Sequence, residues 1–524
     1  TGTMTLTPVT EDDASNAGQS VASIIVSAGG DRIADVDSAA LEGVAIHGTS
    51  GELGRWEYSL DGSNWTNVGS VSSSAALLLR ASDLIRFVPD GANGSIASFD
   101  FRAWDQSSGS AGIRADLSAS GGSTAFSTTT GTAWIDVSAV NDAPVLAETS
   151  LGMSVAEDAG LPAGAVGALV SDFVGGIGDV DSGALQGIAI IASTEVNGTW
   201  YYSSNDGASW NALGPVSSAN ARLLAADEAT RVYFSPAADY NGSVSAALTV
   251  RAWDQSTGLN GSLADTTGIG GSAAYSVAVD SISLTVTAVN DAPAITINTG
   301  ASILEGSTNP ITGAMLTASD VDNTAAQLTY TLTVIPTHGA LYRDRVALMA
   351  GASFTQADID ANRLTYTHDG SETASDGFAF MVDDGAAAAS AGSFTIAIAP
   401  VNDNAPIITS PGGVSVAENT TPVLTVSATD ADQPAQTLSY SIAGGADAGL
   451  FSIDPASGIL RFATAPDFDI PGDADGNNIY DVVVRVSDGG LASTQHLSIT
   501  VLNRNEMPQG NDGRIVVAED GAHV

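Results

Sequence analysis

Val140-Asn141-Asp142-Ala143-Pro144, Val289-Asn290-Asp291-Ala292-Pro293 and Val401-Asn402-Asp403-Asn404-Ala405-Pro406 are three copies of one phrase. Each copy closes an alternating apolar run and opens another, so the phrase marks the handover from one module to the next. Asn and Asp supply side-chain oxygens, and the proline that follows keeps the preceding backbone extended. Oxygens gathered between two modules are what a hard cation needs.

The repeats on either side set the domain organisation. Asp35-Val36-Asp37-Ser38 returns as Asp179-Val180-Asp181-Ser182, and Arg102-Ala103-Trp104-Asp105-Gln106-Ser107 returns as Arg251-Ala252-Trp253-Asp254-Gln255-Ser256. Trp56 and Trp65 return as Trp200 and Trp210. Two later, shorter modules keep an opening Glu (Glu305, Glu418), an Asp-x-Asp (Asp320/Asp322, Asp430/Asp432) and a late Asp-Gly (Asp384-Gly385, Asp488-Gly489). The expected repeats are 1–143, 144–292, 293–405 and 406–506. Residues 507–524 read as a linker and the start of another repeat, because Val517-Ala518-Glu519-Asp520 echoes Val155-Ala156-Glu157-Asp158. The chain thus reads as an internal piece of a longer array.

Within each module apolar and polar residues alternate, as in Ile282, Leu284 and Val286 against Ser283, Thr285 and Thr287. Period two means strands with one buried face. Asp61-Gly62, Asn93-Gly94, Asp206-Gly207 and Asn241-Gly242 punctuate them at turn spacing. The expected fold class is all-β: tandem antiparallel β-sandwiches of Greek-key, immunoglobulin-like type arranged as a rod. One short helix is expected within Thr355–Arg363. Trp56, Trp104, Trp200 and Trp253 lie in strand patterns and read as core, while Trp65 and Trp210 beside Asp-Gly turns leave a carbohydrate platform open as an alternative.

Composition narrows the function. The 524 residues carry 59 Asp+Glu against 16 Lys+Arg, a formal charge of −43, which excludes a phosphate-binding surface and hence nucleic acid. Every basic residue is arginine, so no lysine is present to form an intramolecular isopeptide bond, and without cysteine there are no disulfides. No apolar run approaches a membrane span, and the start lacks the pattern of a signal peptide. The five histidines are isolated and no Gly-x-Ser-x-Gly elbow appears, so no enzyme is expected. Paired carboxylates that recur once per module behave as joints rather than as an active site.

Residues 407–506 resemble a cadherin domain. The resemblance rests on Val416-Ala417-Glu418-Asn419, Ala428-Thr429-Asp430-Ala431-Asp432, Pro466-Asp467-Phe468-Asp469, Tyr480-Asp481-Val482-Val483-Val484 and Val486-Ser487-Asp488-Gly489. The linker before it, Asn402-Asp403-Asn404-Ala405-Pro406, is similar to a cadherin interdomain linker. The other three modules resemble the cadherin-like repeats of giant bacterial surface adhesins, typically exported by type I secretion with RTX nonapeptides near the C-terminus. No such nonapeptide occurs in these residues. The resemblance implies an extracellular, secreted stalk on a bacterial surface, stiffened by several calcium ions and serving adhesion and biofilm formation. Its partners would be other copies of itself or a surface receptor or glycan. A self-assembling surface layer, sheath or fibre is the alternative, and a glycan-binding accessory region of a secreted enzyme a second.

Carried over residue by residue, the resemblance implies three complete joints. The first takes Glu11, Asn141, Asp142, Asp179, Asp181 and Asp254, with Asp90 as a further candidate. The second takes Glu157, Asp239, Asn290, Asp291, Asp320, Asp322 and Asp384. The third takes Glu305, Asn402, Asp403, Asn404, Asp430, Asp432 and Asp488, with Asp369 and Glu372 possible. Glu418, Asp467 and Asp469 would face a following module. In the last linker Arg504 stands where the alignment through Asn503 expects Asp, which puts calcium there in doubt. A separate loop, Asp473-Ala474-Asp475-Gly476-Asn477, has calcium-loop spacing but is too short for an EF-hand and reads equally as a solvated turn.

Overall fold

In each module a strand close to the start lies parallel to the last strand, and this pairing places every candidate site. In the computed structural model Leu151–Ala156 runs beside Asp280–Thr287, Ala301–Leu304 beside Ser390–Ala399, and Gly413–Ala417 beside Ala492–Leu502. Met4–Thr5 and Val9–Thr10 both run parallel to Phe126–Ser138. The opening Glu follows this parallel strand directly. It is therefore delivered to the end of the module from which the last strand leaves for the linker. The structure describes residues 3–37, 39–386 and 389–507. The expected start of a further repeat, from residue 508 on, lies outside them.

The chain divides into two compact units, Thr1–Val289 and Asn290–Val524. In the first unit, one sheet orders Met4–Thr5, Phe126–Ser138, Ser95–Trp104, Gly43–Ser50, Ala76–Arg80 and Arg114–Ala115. It faces a second sheet of Gln19–Ser20, Leu84–Pro89, Gly54–Ser59 and Thr66–Asn67. The same arrangement returns with Leu151–Ala156, Asp280–Thr287, Gly242–Trp253, Gly187–Ser193, Ala221–Ala225 and Leu263–Ala264 against a sheet built on Arg231–Pro236 and Gly198–Ser203. In the second unit Ser375–Asp383 and Ser390–Ala399 anchor one sandwich, and Ile479–Ser487 and Ala492–Leu502 anchor another. Apart from this parallel pairing the ladders are antiparallel, so alternation marks the strands but not this one reversal of direction.

Each sandwich has its own apolar core. Trp56 packs edge-on to Phe87 and Phe99, and Trp200 lies 5.0 Å from Phe234. In the second unit Tyr330 stacks on Phe354, and Phe451, Phe462 and Tyr480 form a triad. Trp104 and Trp253 are buried too, but in smaller clusters with Leu78 and Leu117, and with Leu223 and Tyr275. Each indole N–H donates to a backbone carbonyl four residues on, Ser108 at 2.7 Å and Thr257 at 2.8 Å. The turns that carry these carbonyls pass Gly109 and Gly258, both at positive φ, where a Cβ would collide with Leu78 or Leu223. Leu117, Ala125 and Phe126 share the cluster of Trp104, and Ala274 and Tyr275 that of Trp253.

The expected short helix is Gln356–Asp360, capped by Thr355. A second helix, Val21–Val26 with Ser20 as its cap, was hidden because its apolar run also fits a strand. Among the described residues no helix is long and apolar enough to cross a membrane.

Candidate metal centres

The opening Glu is fixed by a bond that recurs at all four module ends. Its own N–H donates to the last strand: Glu11 to Ser138 O, Glu157 to Thr287 O, Glu305 to Ala399 O and Glu418 to Leu502 O. Its carboxylate then accepts the N–H two residues further along that strand's exit. The donors are Val140 to Glu11 at 2.7 Å, Val289 to Glu157 at 2.6 Å, Val401 to Glu305 at 3.2 Å and Arg504 to Glu418 at 2.7 Å. Glu11 and Glu418 are fully buried, and Glu157 is nearly so.

This register corrects the reading of the last linker. Arg504 stands where the other copies have Val, so Arg504-Asn505-Glu506 answers Val140-Asn141-Asp142. Glu506 holds the acidic position, and Asn419 donates to its carboxylate. The alignment slipped by two because Leu502-Asn503-Arg504 has the same apolar-Asn order as Val401-Asn402-Asp403. Glu418 also accepts Phe468 N–H at 2.8 Å, and Asp467 accepts Asp469 N–H at 2.9 Å.

In the first unit the linker is locked to the second module. Asp142 N–H donates to Asp181 at 2.8 Å, and Asp181 N–H to Asp179 at 2.9 Å. The Asn141 amide donates to Asp254 at 2.9 Å, and Ala143 N–H to Gly271 O at 2.7 Å. Carboxylate oxygens of Glu11, Asp142 and Asp181 lie within 4.8 Å of one another. Desolvation first, and then the charges of Asp12, Asp181, Glu11 and Asp179, push the Asp142 carboxyl above its ordinary range. Desolvation raises Asp179 as well, helped by Asp181 and Asp254. Asp12 escaped the sequence reading, although it adjoins Glu11. Asp90 only caps its own turn through Ala92 N–H. Asn93 is the residue of that loop that reaches the second module, bonding Val180 O at 3.0 Å and Ser182 N–H at 2.7 Å.

The residues assigned to the second joint fall in both units. In the first, Glu157 accepts the Asn241 amide at 3.0 Å, while Asp239 is exposed in the same loop. In the second unit the Asn290 amide donates to Asp384 at 2.7 Å, Asp291 N–H to Asp322 at 2.9 Å, and Asp322 N–H to Asp320 at 2.8 Å. This repeats the linker pattern of Asn141, Asp142, Asp181 and Asp179.

The third linker is one residue longer, and the extra residue divides its acids into two groups. Asn404 N–H, not Asp403 N–H, donates to the Asp-x-Asp loop, meeting Asp432 at 3.1 Å. Asp403 is thereby free to lean back to Glu305 and Glu372, with carboxylate oxygens within 4.8 Å. Asp430, Asp432 and Asp488 form the other group at the same spacing. The Asn404 amide bridges them, at 2.9 Å from each of Glu372, Asp403 and Asp432. Asn402 turns to Gln436 at 2.7 Å. Desolvation pushes Glu305 up, and the charges of Glu372 and Asp403 add to this against the pull of Val401 N–H. Desolvation acts on Asp488 too, but N–H groups of Gly490 and Leu491 and the Asn402 amide outweigh it and hold that carboxyl low. Asp369 caps its own turn through Ser371 N–H.

The donor chemistry fits calcium. Glu11 Oε2, Asp142 Oδ2, Asp179 Oδ2, Glu305 Oε1, Asp320 Oδ2, Asp430 Oδ2 and Asp488 Oδ2 are buried oxygens without a hydrogen-bond partner. A buried carboxylate oxygen that accepts nothing is costly. All the candidate ligand atoms are oxygens, in the mixture of carboxylate and amide that calcium takes.

The aromatic platform does not form. The Arg86 guanidinium lies 4.1 Å over the Trp65 ring, and Trp210 donates its N–H to Gly164 O while its ring meets Tyr233.

Comparison with known proteins places these modules. Residues 293–398 match a family model described as cadherin-like, and residues 413–502 match the cadherin domain. Extracellular matrix protein 3 of Lytechinus variegatus is 36% identical over 146 residues, 27% of this chain and 4% of that protein. Cadherin-23 of Rattus norvegicus is 40% identical over 120 residues, 21% of this chain and 3% of that protein. The matched stretches are thus a small fraction of these relatives' own length. A solved structure of the protocadherin gamma B2 extracellular cadherin domains 1–5 superposes with a TM-score of 0.50 at 17% identity, covering 90% of this chain and 76% of that one. The fold is that of tandem cadherin-like domains.

Proposed function

We propose that this chain is a calcium-stiffened segment of a large extracellular adhesion protein, built from repeats at 1–143, 144–292, 293–405 and 406–506. The observation that carries this reading is the set of partnerless, buried carboxylate oxygens where a linker meets its modules: Glu11 and Asp142 with Asp179 in one place, Glu305 with Asp430 and Asp488 in the other. Without a cation these charges repel; with one they cross-link successive modules, and the linker stops acting as a hinge. Glu11, Asp142 and Asp181 would hold one ion in the first unit. Glu305, Glu372 and Asp403, and separately Asp430, Asp432 and Asp488, would hold ions in the second. Extracellular modules bind calcium at about 10⁻⁴–10⁻³ M, so external calcium keeps such sites filled.

The extracellular setting has the wider support, because the named relatives are matrix and cadherin proteins. The bacterial surface rests only on the resemblance of the first three modules to the repeats of bacterial surface adhesins, whereas the relatives named above are animal proteins. The role is mechanical and adhesive rather than catalytic, with another copy or a surface receptor at the far end. The glycan-binding alternative loses its support with the covered Trp65 and Trp210. Small-angle scattering of the chain in calcium and in chelator tests the reading. A larger maximum dimension in calcium, reversed by chelation, supports it, and identical profiles refute it.

A further inference from the structure

The loop Asp473–Asn478 lies between strands Ile459–Phe462 and Ile479–Ser487 of the last module. It is held in place by a second carboxylate, Asp447, which is buried and fully engaged. Asp447 accepts Ala474 N–H through Oδ1 at 2.7 Å and Asp481 N–H through Oδ2 at 2.7 Å. The loop is also tied to the core, because Gly472 N–H donates to the Tyr480 hydroxyl at 3.0 Å. Its geometry is therefore set by the fold and not by a neighbouring module.

Inside this frame sits a carboxylate with work left undone. Asp473 is only 8% exposed. Its Oδ2 accepts Asn477 N–H at 2.7 Å, while its Oδ1 is buried with no hydrogen-bond partner. The Asp475 carboxyl lies against it. The Asn477 amide holds Asp475 from the other side at 2.8 Å. Asn478 Oδ1 is a further buried oxygen without a donor in the same loop. Two acids and two side-chain amides converge within six residues, and a buried anionic oxygen there has nothing to bind.

We propose that this loop is a calcium site internal to the last module, with Asp473 and Asp475 as its anionic ligands and loop amide or backbone oxygens completing the shell. It is separate from the interdomain joints. Its effect would be to pin the long connection between two strands of one sandwich, independently of whether a neighbour is docked. Lone calcium suits the donor set, since every candidate ligand is an oxygen and none is a nitrogen or sulfur.

The test is hydrogen–deuterium exchange on the full chain, read on peptides spanning 464–480, with calcium as the only probe. Three proteins are compared: the parent, D475N, and the joint variant D403N/D432N. Calcium at ten times its dissociation constant should slow exchange in this loop about tenfold in the parent. The slowing should persist in D403N/D432N and vanish in D475N, whose side chain is exposed and whose loss leaves the core intact. The proposal fails on any of three results: no calcium-dependent slowing, slowing that survives in D475N, or slowing that disappears with the joint variant. The last result would assign the effect to the joints and leave the proposed function standing, whereas failure of scattering to respond to calcium would leave this site standing without the joints.

Discussion

Asn404 clasps Asp432 twice, through its backbone N–H at 3.1 Å and its side-chain amide at 2.9 Å. The same amide also reaches Glu372 and Asp403. One inserted residue thereby links two acidic groups that the shorter linkers at Asp142 and Asp291 have no means to separate. Asn404→Ala removes the amide while keeping the backbone donor. The variant should bind calcium more weakly at the third joint, by on the order of tenfold, as loss of a residue that orients ligands does. Isothermal titration of the parent and the variant checks this; an unchanged isotherm would count against the bridge.

Glu11→Gln tests the first joint. Glu11 is fully buried, with Oε1 taken by Val140 and Oε2 left over. The amide keeps the size and the acceptor for Val140 but loses the charge. Calcium binding by the chain should fall by one ion per molecule, measured by equilibrium dialysis, and the calcium-induced rise in melting temperature of the first unit should shrink. Full stoichiometry in the variant would show that Glu11 is a buried structural acid only.

Much of this is legible in the sequence. Val140-Asn141-Asp142 and its copies mark the linkers, and the Asp-x-Asp pairs beginning at Asp179, Asp320 and Asp430, which the linker N–H groups meet, are legible because their spacing is local. What escaped depends on three-dimensional register. Glu506 was missed because the last strand's pairing with Gly413–Ala417, not the residue types, decides which Asn of the last linker is equivalent to Asn402. Asp12 and Asn93 were missed because no periodic signal marks an acid or amide that simply lies near another module. Asp239 was included on sequence position alone; its neighbour Asn241 is the one that bonds Glu157.

Asp376 gives the second unit a pH signature away from the acidic joints. Burial pulls its carboxyl upward, but N–H groups of Thr337, Gly377 and His338 and the Tyr366 hydroxyl outweigh that and hold it below the usual carboxylate range. A depressed folded value means stability that is present above the unfolded value, about 3.9, and lost as pH falls through the folded one. Asp376→Asn should cost about 1 kcal/mol at neutral pH, by leaving partly buried donors without a charged acceptor. The gap between parent and variant in denaturant melts should close on acidification below about pH 4. A gap independent of pH would contradict the assignment.

Trp200 and Trp65 should respond very differently to truncation. Trp200 is 1% exposed, packs on Phe234 and donates to Thr194 O at 3.1 Å. Trp200→Ala should cost about 3–5 kcal/mol through the cavity it leaves. Trp65 chiefly supports the Arg86 guanidinium, so Trp65→Ala should cost only about 0.5–1 kcal/mol. Chemical denaturation of the first unit's transition within the full chain separates the two. Equal costs would mean that Trp65 belongs to the core.

The most direct measurement is an anomalous difference map from crystals grown in calcium. Strong peaks are predicted among Glu11, Asp142 and Asp181, among Glu305, Glu372 and Asp403, and among Asp430, Asp432 and Asp488. A map without density at these three places, with the carboxylates turned outward to water, would contradict the account.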